Sequence, residues 1–177
     1  GGAQALQASL AAAKAQAPRR KAEEALPPAR AARARGTDAF KAGRFAEALA
    51  AYEEADGLLE AAEVPGEEAA AQELAAERAA VKLNLASAHL RAGDPYAALR
   101  ACDGALELDQ GSSKAWYRRG LACMRIKQFP AAKRNFLQAA KLDPQNREIR
   151  EQLKAAMEAL QSAGGPVAFA SALSEGD

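Results

Sequence analysis

The chemistry-bearing residues of this 177-residue chain are cations. From Ser112 to Arg134 there are seven Lys or Arg and no Asp or Glu, although the net charge of the whole chain is only +1. The compensating acids lie elsewhere: Glu53 to Glu77 holds nine acids and no base. Such separation creates local fields that the net value hides. Lys114 and Arg118 are four residues apart, so a helix places them on one face, one turn apart, where both can reach a single acceptor. Arginine can fork onto a carboxylate through two bonds, and lysine supplies a compact point charge. The chemistry these types suit is the capture of an anion.

The parts needed for catalysis are missing from the pattern. The chain has one histidine, His89, which falls at a helix-packing position. No Ser-His-Asp arrangement, glycine-rich phosphate loop or pair of groove carboxylates accompanies it. Neither a metal site nor a cofactor is expected, because the two cysteines, Cys102 and Cys123, read as small apolar residues of amphipathic helices. Unpaired buried cysteines fit a reducing compartment, the cytoplasm first and the nucleus second. No run of about 18 apolar residues is present, so no membrane span is expected. A basic groove could also serve a nucleic acid, but aromatic residues to stack bases are few between Lys114 and Arg134. That alternative, and a different acidic partner peptide, remain second readings.

The elements that must position these cations come from an internal repeat. The segment from Arg119 to Pro144 aligns without a gap on that from Leu85 to Gln110, an offset of 34 residues. A third copy starts at Arg35, displaced by 50 residues because of a 16-residue insert. Small residues recur at matched places: Gly36, Ala86 and Gly120 in the first half of each copy, and Ala48, Ala98 and Ala132 in the second. Four places after the latter stand larger side chains, Tyr52, Cys102 and Phe136. Each copy reads as two antiparallel helices, with breakers between them in "KAGRF", "RAGDPY" and "IKQFP". Hydrophobic residues make up 49% of the chain and aromatics 5%, as expected for closely approaching alanine-rich helices. Trp116 is expected to pack at a repeat junction. Arg119 and Arg35, at one shared repeat position, are expected to face inward with packed stems.

Trp116, Gly120, Ala132, Phe136, Ala139 and Pro144 resemble the tetratricopeptide repeat. The resemblance implies an all-α, α-α superhelix of three helix pairs, at about 29–62, 79–112 and 113–146. A capping helix is expected at 146–162, preceded overall by an Ala-rich helix and linker over 1–28, with Pro18, Pro27 and Pro28 as breaks. The insert after Pro65-Gly66 is expected to lengthen the second repeat's first helix, and 164–177 to form a mobile tail. In such arrays the first helix of every repeat lines a concave binding face. The positions facing it are Arg33 and Thr37, Asn84 and Arg91, and Lys114, Arg118 and Arg125.

The stretches "RGTDAFKAGRFAEAL", "KLNLASAHLRAGD" and "WYRRGLA" are similar to the repeat domain of FKBP-type immunophilins, and in part to aryl-hydrocarbon-receptor-interacting relatives. Co-chaperones of this class hold the Glu-Glu-Val-Asp tail of cytosolic heat-shock chaperones in a carboxylate clamp. That resemblance implies a non-enzymatic adaptor whose clamp is Arg33, Thr37, Asn84, Lys114 and Arg118, with Arg33 replacing the usual lysine and Thr37 the usual asparagine. Arg91 and Arg125 extend the same face. The ninety-kilodalton chaperone class is the first expected partner and the seventy-kilodalton class the second. Neither membrane nor nucleic acid is an expected partner, and any prolyl isomerase domain is expected outside this chain. The domain is expected to be a monomer, with a further possibility that its own acidic end, Glu175 to Asp177, occupies a groove.

Overall fold

A computed structural model of the chain describes residues 21–163. The Ala-rich segment before Lys21, the tail from 164 and the acidic end at Glu175 and Asp177 lie outside the described residues. Among the described residues seven helices follow one another: α1 (Ala22–Lys41), α2 (Phe45–Glu60), α3 (Glu68–Ala92), α4 (Pro95–Leu108), α5 (Ser113–Arg125), α6 (Phe129–Leu142) and α7 (Arg147–Ala163). They pack as three antiparallel pairs, α1/α2, α3/α4 and α5/α6, closed by α7 against α6. First helices also touch in series, α1 with α3, α3 with α5, and α5 with α7, which aligns them along one face. The architecture is an all-α superhelix.

The pairing follows from the small residues at the crossings. A Cβ built on Gly36 would lie 2.6 Å from the Tyr52 ring, and one on Gly120 would collide with the ring of Phe136. Tyr52 and Phe136 are 3% and 0% exposed, so each ring takes the volume its glycine leaves free. The middle pair solves the same crossing with Ala86 and Cys102, both fully buried. The turns repeat as well. Gly43 (φ 76°), Gly93 (φ 86°) and Lys127 (φ 59°) take the left-handed conformation at one shared repeat position. Glycine does so without strain, whereas Lys127 carries a Cβ into a region that costs about 1–2 kcal/mol. Helix starts are capped where the sequence provides for it. The Asp94 carboxylate accepts from Ala97 N (2.9 Å) ahead of Pro95, and the Ser112 hydroxyl accepts from Ala115 N (3.3 Å).

Two features differ from the sequence reading. Pro27 and Pro28 do not break the chain; they lie inside α1, which begins at Ala22. Both face solvent, so the carbonyls of Glu23 and Glu24 that lose their helical donors can be hydrated. Ala22, Ala25, Leu26 and Ala29 on the opposite face are buried in the core of the first pair, and that burial offsets the lost bonds. Arg35, expected to be inner-facing, has its side chain 58% exposed and pairs with Glu54 of α2 at 2.6 Å.

The insert forms the start of the 25-residue α3. Two cations tie it back onto the first repeat. Arg78 donates to the carbonyls of Leu59 (2.7 Å from Nη2) and Ala62 (3.2 Å) at the end of α2, and Lys82 donates to Asp56 and Glu60 at 3.0 Å each. The Leu59 carbonyl also accepts from Ala62 N (3.2 Å), so Arg78 reinforces the C-terminal cap of α2 with its charge. Leu74 and Val81 are buried beneath these bonds. The extension therefore has a fixed register against α1, which matters for the groove.

Candidate functional site

α5 is the helix on which the two roles of the basic run separate. Trp116 is half-buried, donates from Nε1 to the Gln110 carbonyl (2.9 Å), and packs with Leu83 on the cluster of Ala105, Leu106 and Ala115 at the repeat junction. Arg119 turns toward α4 and α6, where it donates to Asp103 (2.7 Å) and to Asn135 (3.0 Å). Lys114, Arg118 and Arg125 leave the same helix on the face toward α3 and α7.

Arg118 sits between two cavities. One, of about 240 Å³, lies between α5 and α7 and is lined by Lys114, Tyr117 and Arg118 together with Asp143, Asn146 and Glu148. The other, of about 290 Å³, lies between α3 and α5, with Arg91, Arg118 and Arg125 around Leu90, Tyr117 and Leu121. Arg118 Nη1 donates to the Leu83 carbonyl (3.0 Å). Neither Arg118 nor Lys114, Arg91 or Arg125 has an ion-pair partner among the described residues. Burial pulls the Arg118 pKa below its ordinary value, opposed by the nearby Cys102 and Tyr52. A desolvated guanidinium without a counter-charge gains much from an incoming anion, because the cost of removing its water is already met in the free protein. Arg91 also stacks over Phe45, its guanidinium carbon 5.3 Å from the ring centroid, which fixes where its charge points.

The first-repeat end differs. Arg33 Nε donates to Glu77 Oε1 at 2.5 Å, and Arg30 reaches Glu77 Oε2 (3.4 Å) and Glu73 (2.7 Å). The Thr37 hydroxyl donates to its own helix at the Arg33 carbonyl (2.9 Å) and accepts from the Tyr52 hydroxyl (3.3 Å). Asn84, on α3 between the two ends, makes no side-chain hydrogen bond among the described residues. The structure thus brings Arg91, Lys114, Arg118 and Arg125 around one pair of cavities, and engages Arg33 and Thr37 internally.

Sequence reasoning missed Glu77. Its signal was present: Glu77 stands seven residues before Asn84, two helical turns, and so shares its face of α3. It also missed the acids of the α5/α7 cavity. Glu148 accepts from the Tyr117 hydroxyl at 2.7 Å; burial first, and then this bond, raise the Tyr117 pKa well above its ordinary value. Among the described residues no cluster of His, Cys, Asp or Glu could hold a metal ion, and no helix is long and apolar enough to cross a membrane.

Residues 113–146 match the tetratricopeptide repeat family model. The chain is 35% identical over 131 residues to the rat peptidyl-prolyl cis-trans isomerase FKBP4, across 74% of this chain and 28% of that protein. It therefore spans little more than a quarter of that relative's length. The structure superimposes on the C-terminal repeat-containing domain of a Plasmodium falciparum FK506-binding protein with a TM-score of 0.74 and 26% identity, covering 81% of this chain and 95% of that one. It also superimposes on the C. elegans myosin chaperone UNC-45, solved in complex with an Hsp90 peptide (TM-score 0.62, 27% identity, 74% of this chain and 13% of that one). The described residues have the fold of a tetratricopeptide-repeat domain, and 113–146 match the repeat itself. The chain resembles the repeat region of the FK506-binding proteins.

Proposed function

We propose that this domain is an adaptor that binds the acidic C-terminal peptide of a cytosolic heat-shock chaperone, the ninety-kilodalton class before the seventy-kilodalton class. The observation that carries the reading is Arg118, partly buried, with one backbone acceptor and no ionic partner, between two cavities that also hold Lys114, Arg91 and Arg125. The terminal carboxylate of the peptide is held by Lys114 and Arg118, with Asn84 adding a neutral donor. Acidic side chains upstream run toward Arg91 and Arg125, and an apolar one rests on Leu90 and Leu121. The complex with an Hsp90 peptide formed by a structural relative supports this reading. Each charge-assisted hydrogen bond contributes about 1.5–3 kcal/mol, and a few of them, less the ordering of the peptide, give a Kd in the micromolar range, about −8 kcal/mol.

Fluorescence anisotropy of a labelled Met-Glu-Glu-Val-Asp peptide tests the proposal. Saturable binding, lost in Lys114→Ala and unaffected by a single-stranded RNA competitor, is expected. Displacement by the RNA with a steep salt dependence would instead assign the basic groove to a nucleic acid.

A further inference from the structure

We infer that Glu77 sets the specificity of the groove: it neutralises the first-repeat end, so that a peptide is gripped through one anionic group at the third repeat and not through two. This deepens the peptide-binding reading above and rests on it. Glu77 comes from the inserted part of α3, and its side chain is only 8% exposed. It takes the Nε and one Nη of Arg33, and the Nε of Arg30. With Glu73 on Arg30, two cations face two carboxylates and the local charge cancels. The adjacent hydroxyl of Thr37 has its proton on the Arg33 carbonyl, so it offers no free donor either. A ligand carboxylate arriving here would meet Glu77 as a like charge and would have to displace an existing ion pair. At the second and third repeats, Arg91, Lys114, Arg118 and Arg125 make no ion pair among the described residues; Asp143 and Glu148 line the α5/α7 cavity too, but Glu148 is taken up by the Tyr117 hydroxyl. The register of Glu77 is not adjustable, because Arg78 and Lys82 pin α3 to the end of α2 immediately beside it.

With the terminal carboxylate on Lys114 and Arg118, as proposed above, the ligand class that follows is a peptide whose last residue need not have an acidic side chain. An aspartate and an asparagine at the end should be accepted nearly equally, whereas a groove with a free Arg33 would prefer aspartate.

Calorimetry with Met-Glu-Glu-Val-Asp and Met-Glu-Glu-Val-Asn tests this on the wild-type chain, Glu77→Gln and the doubly neutral Arg33→Gln/Glu77→Gln. The wild type should bind the two peptides within about threefold of each other. Glu77→Gln should tighten the aspartate peptide at least tenfold, with much less effect on the asparagine peptide. The double variant, which keeps the charge balance and the side-chain shapes, should return to wild-type affinity within threefold. A wild-type preference of tenfold or more for aspartate would show a second anionic grip, and a tenfold loss in the double variant would show Arg33 already gripping the ligand; either result overturns the inference. If wild-type protein binds and Glu77→Gln leaves both affinities unchanged, the inference also fails while the peptide reading stands. Absence of binding to every form would refute the peptide reading and this inference with it.

Discussion

Replacing Arg118 with methionine separates binding from folding. The side chain has five N–H donors, of which one is spent on the Leu83 carbonyl. Two of the others suffice for a forked grip on a carboxylate, worth about 3 kcal/mol after losses, at about 1.5–3 kcal/mol per charge-assisted bond. At 1.4 kcal/mol per decade, Arg118→Met should raise the Kd for the acidic pentapeptide by about a hundredfold. The fold should hardly notice. Leu83 lies mid-helix in α3 (Glu68–Ala92), so its carbonyl keeps an intrahelical donor when the arginine is gone. Methionine fills the volume of the stem, and the lowered pKa of Arg118 shows that its charge is a cost in the free protein. Melting followed by circular dichroism should therefore move by no more than about 3 °C, upward as readily as downward. Calorimetry and melting on the same preparation provide the assay. A loss of binding below threefold would refute the placement of Arg118 in the grip. A fall in melting temperature of 8 °C or more would show that Arg118 is a structural pin.

Other consequences concern the frame. Gly120→Ala forces a methyl into the Phe136 ring and should destabilise the domain by about 1–3 kcal/mol despite the better helix propensity of alanine, measured by urea unfolding. Lys127→Gly removes a Cβ from a left-handed residue (φ 59°) and should stabilise the domain by about 1 kcal/mol in the same assay. Burial pushes the Cys102 thiol up to about 12, and Cys123 shifts in the same direction. Above pH 9 the unfolded chain loses these protons while the folded one keeps them, so the folded state binds more protons and stability falls as pH rises. Chemical unfolding at pH 8 and pH 10 should show that loss in the wild type and a smaller one in Cys102→Ala. Thiol reagents should reach Cys102 only on unfolding.

The repeat frame could be read from the chain because it depends on local spacing. Gly36, Ala86 and Gly120, each matched by a side chain 16 residues on, define where two helices cross, and the structure packs Tyr52, Cys102 and Phe136 there. Chemistry on α5 was equally legible, since Lys114, Arg118 and Arg119 differ in direction by helical geometry alone. What escaped depends on pairing across the insert. Glu77 meets Arg33 from 44 residues away, and only the register of α3 on α1 decides it. Thr37 looked like a hydrogen-bonder facing the groove, but a β-branched hydroxyl in a helix readily bonds back to the carbonyl four residues earlier, as it does here. Pro27 and Pro28 looked like a boundary because proline disfavours helix interiors, and the burial of four alanine and leucine neighbours overrode that local preference.

The central claim is that the groove recognises a free terminal carboxylate. Titration calorimetry of the wild-type domain with Met-Glu-Glu-Val-Asp and with the same peptide amidated at its C-terminus measures it most directly. A micromolar Kd for the free acid and a loss of about a hundredfold or more on amidation is the predicted result, following the same arithmetic as for Arg118. Equal binding of the two peptides, or binding of neither, would contradict it.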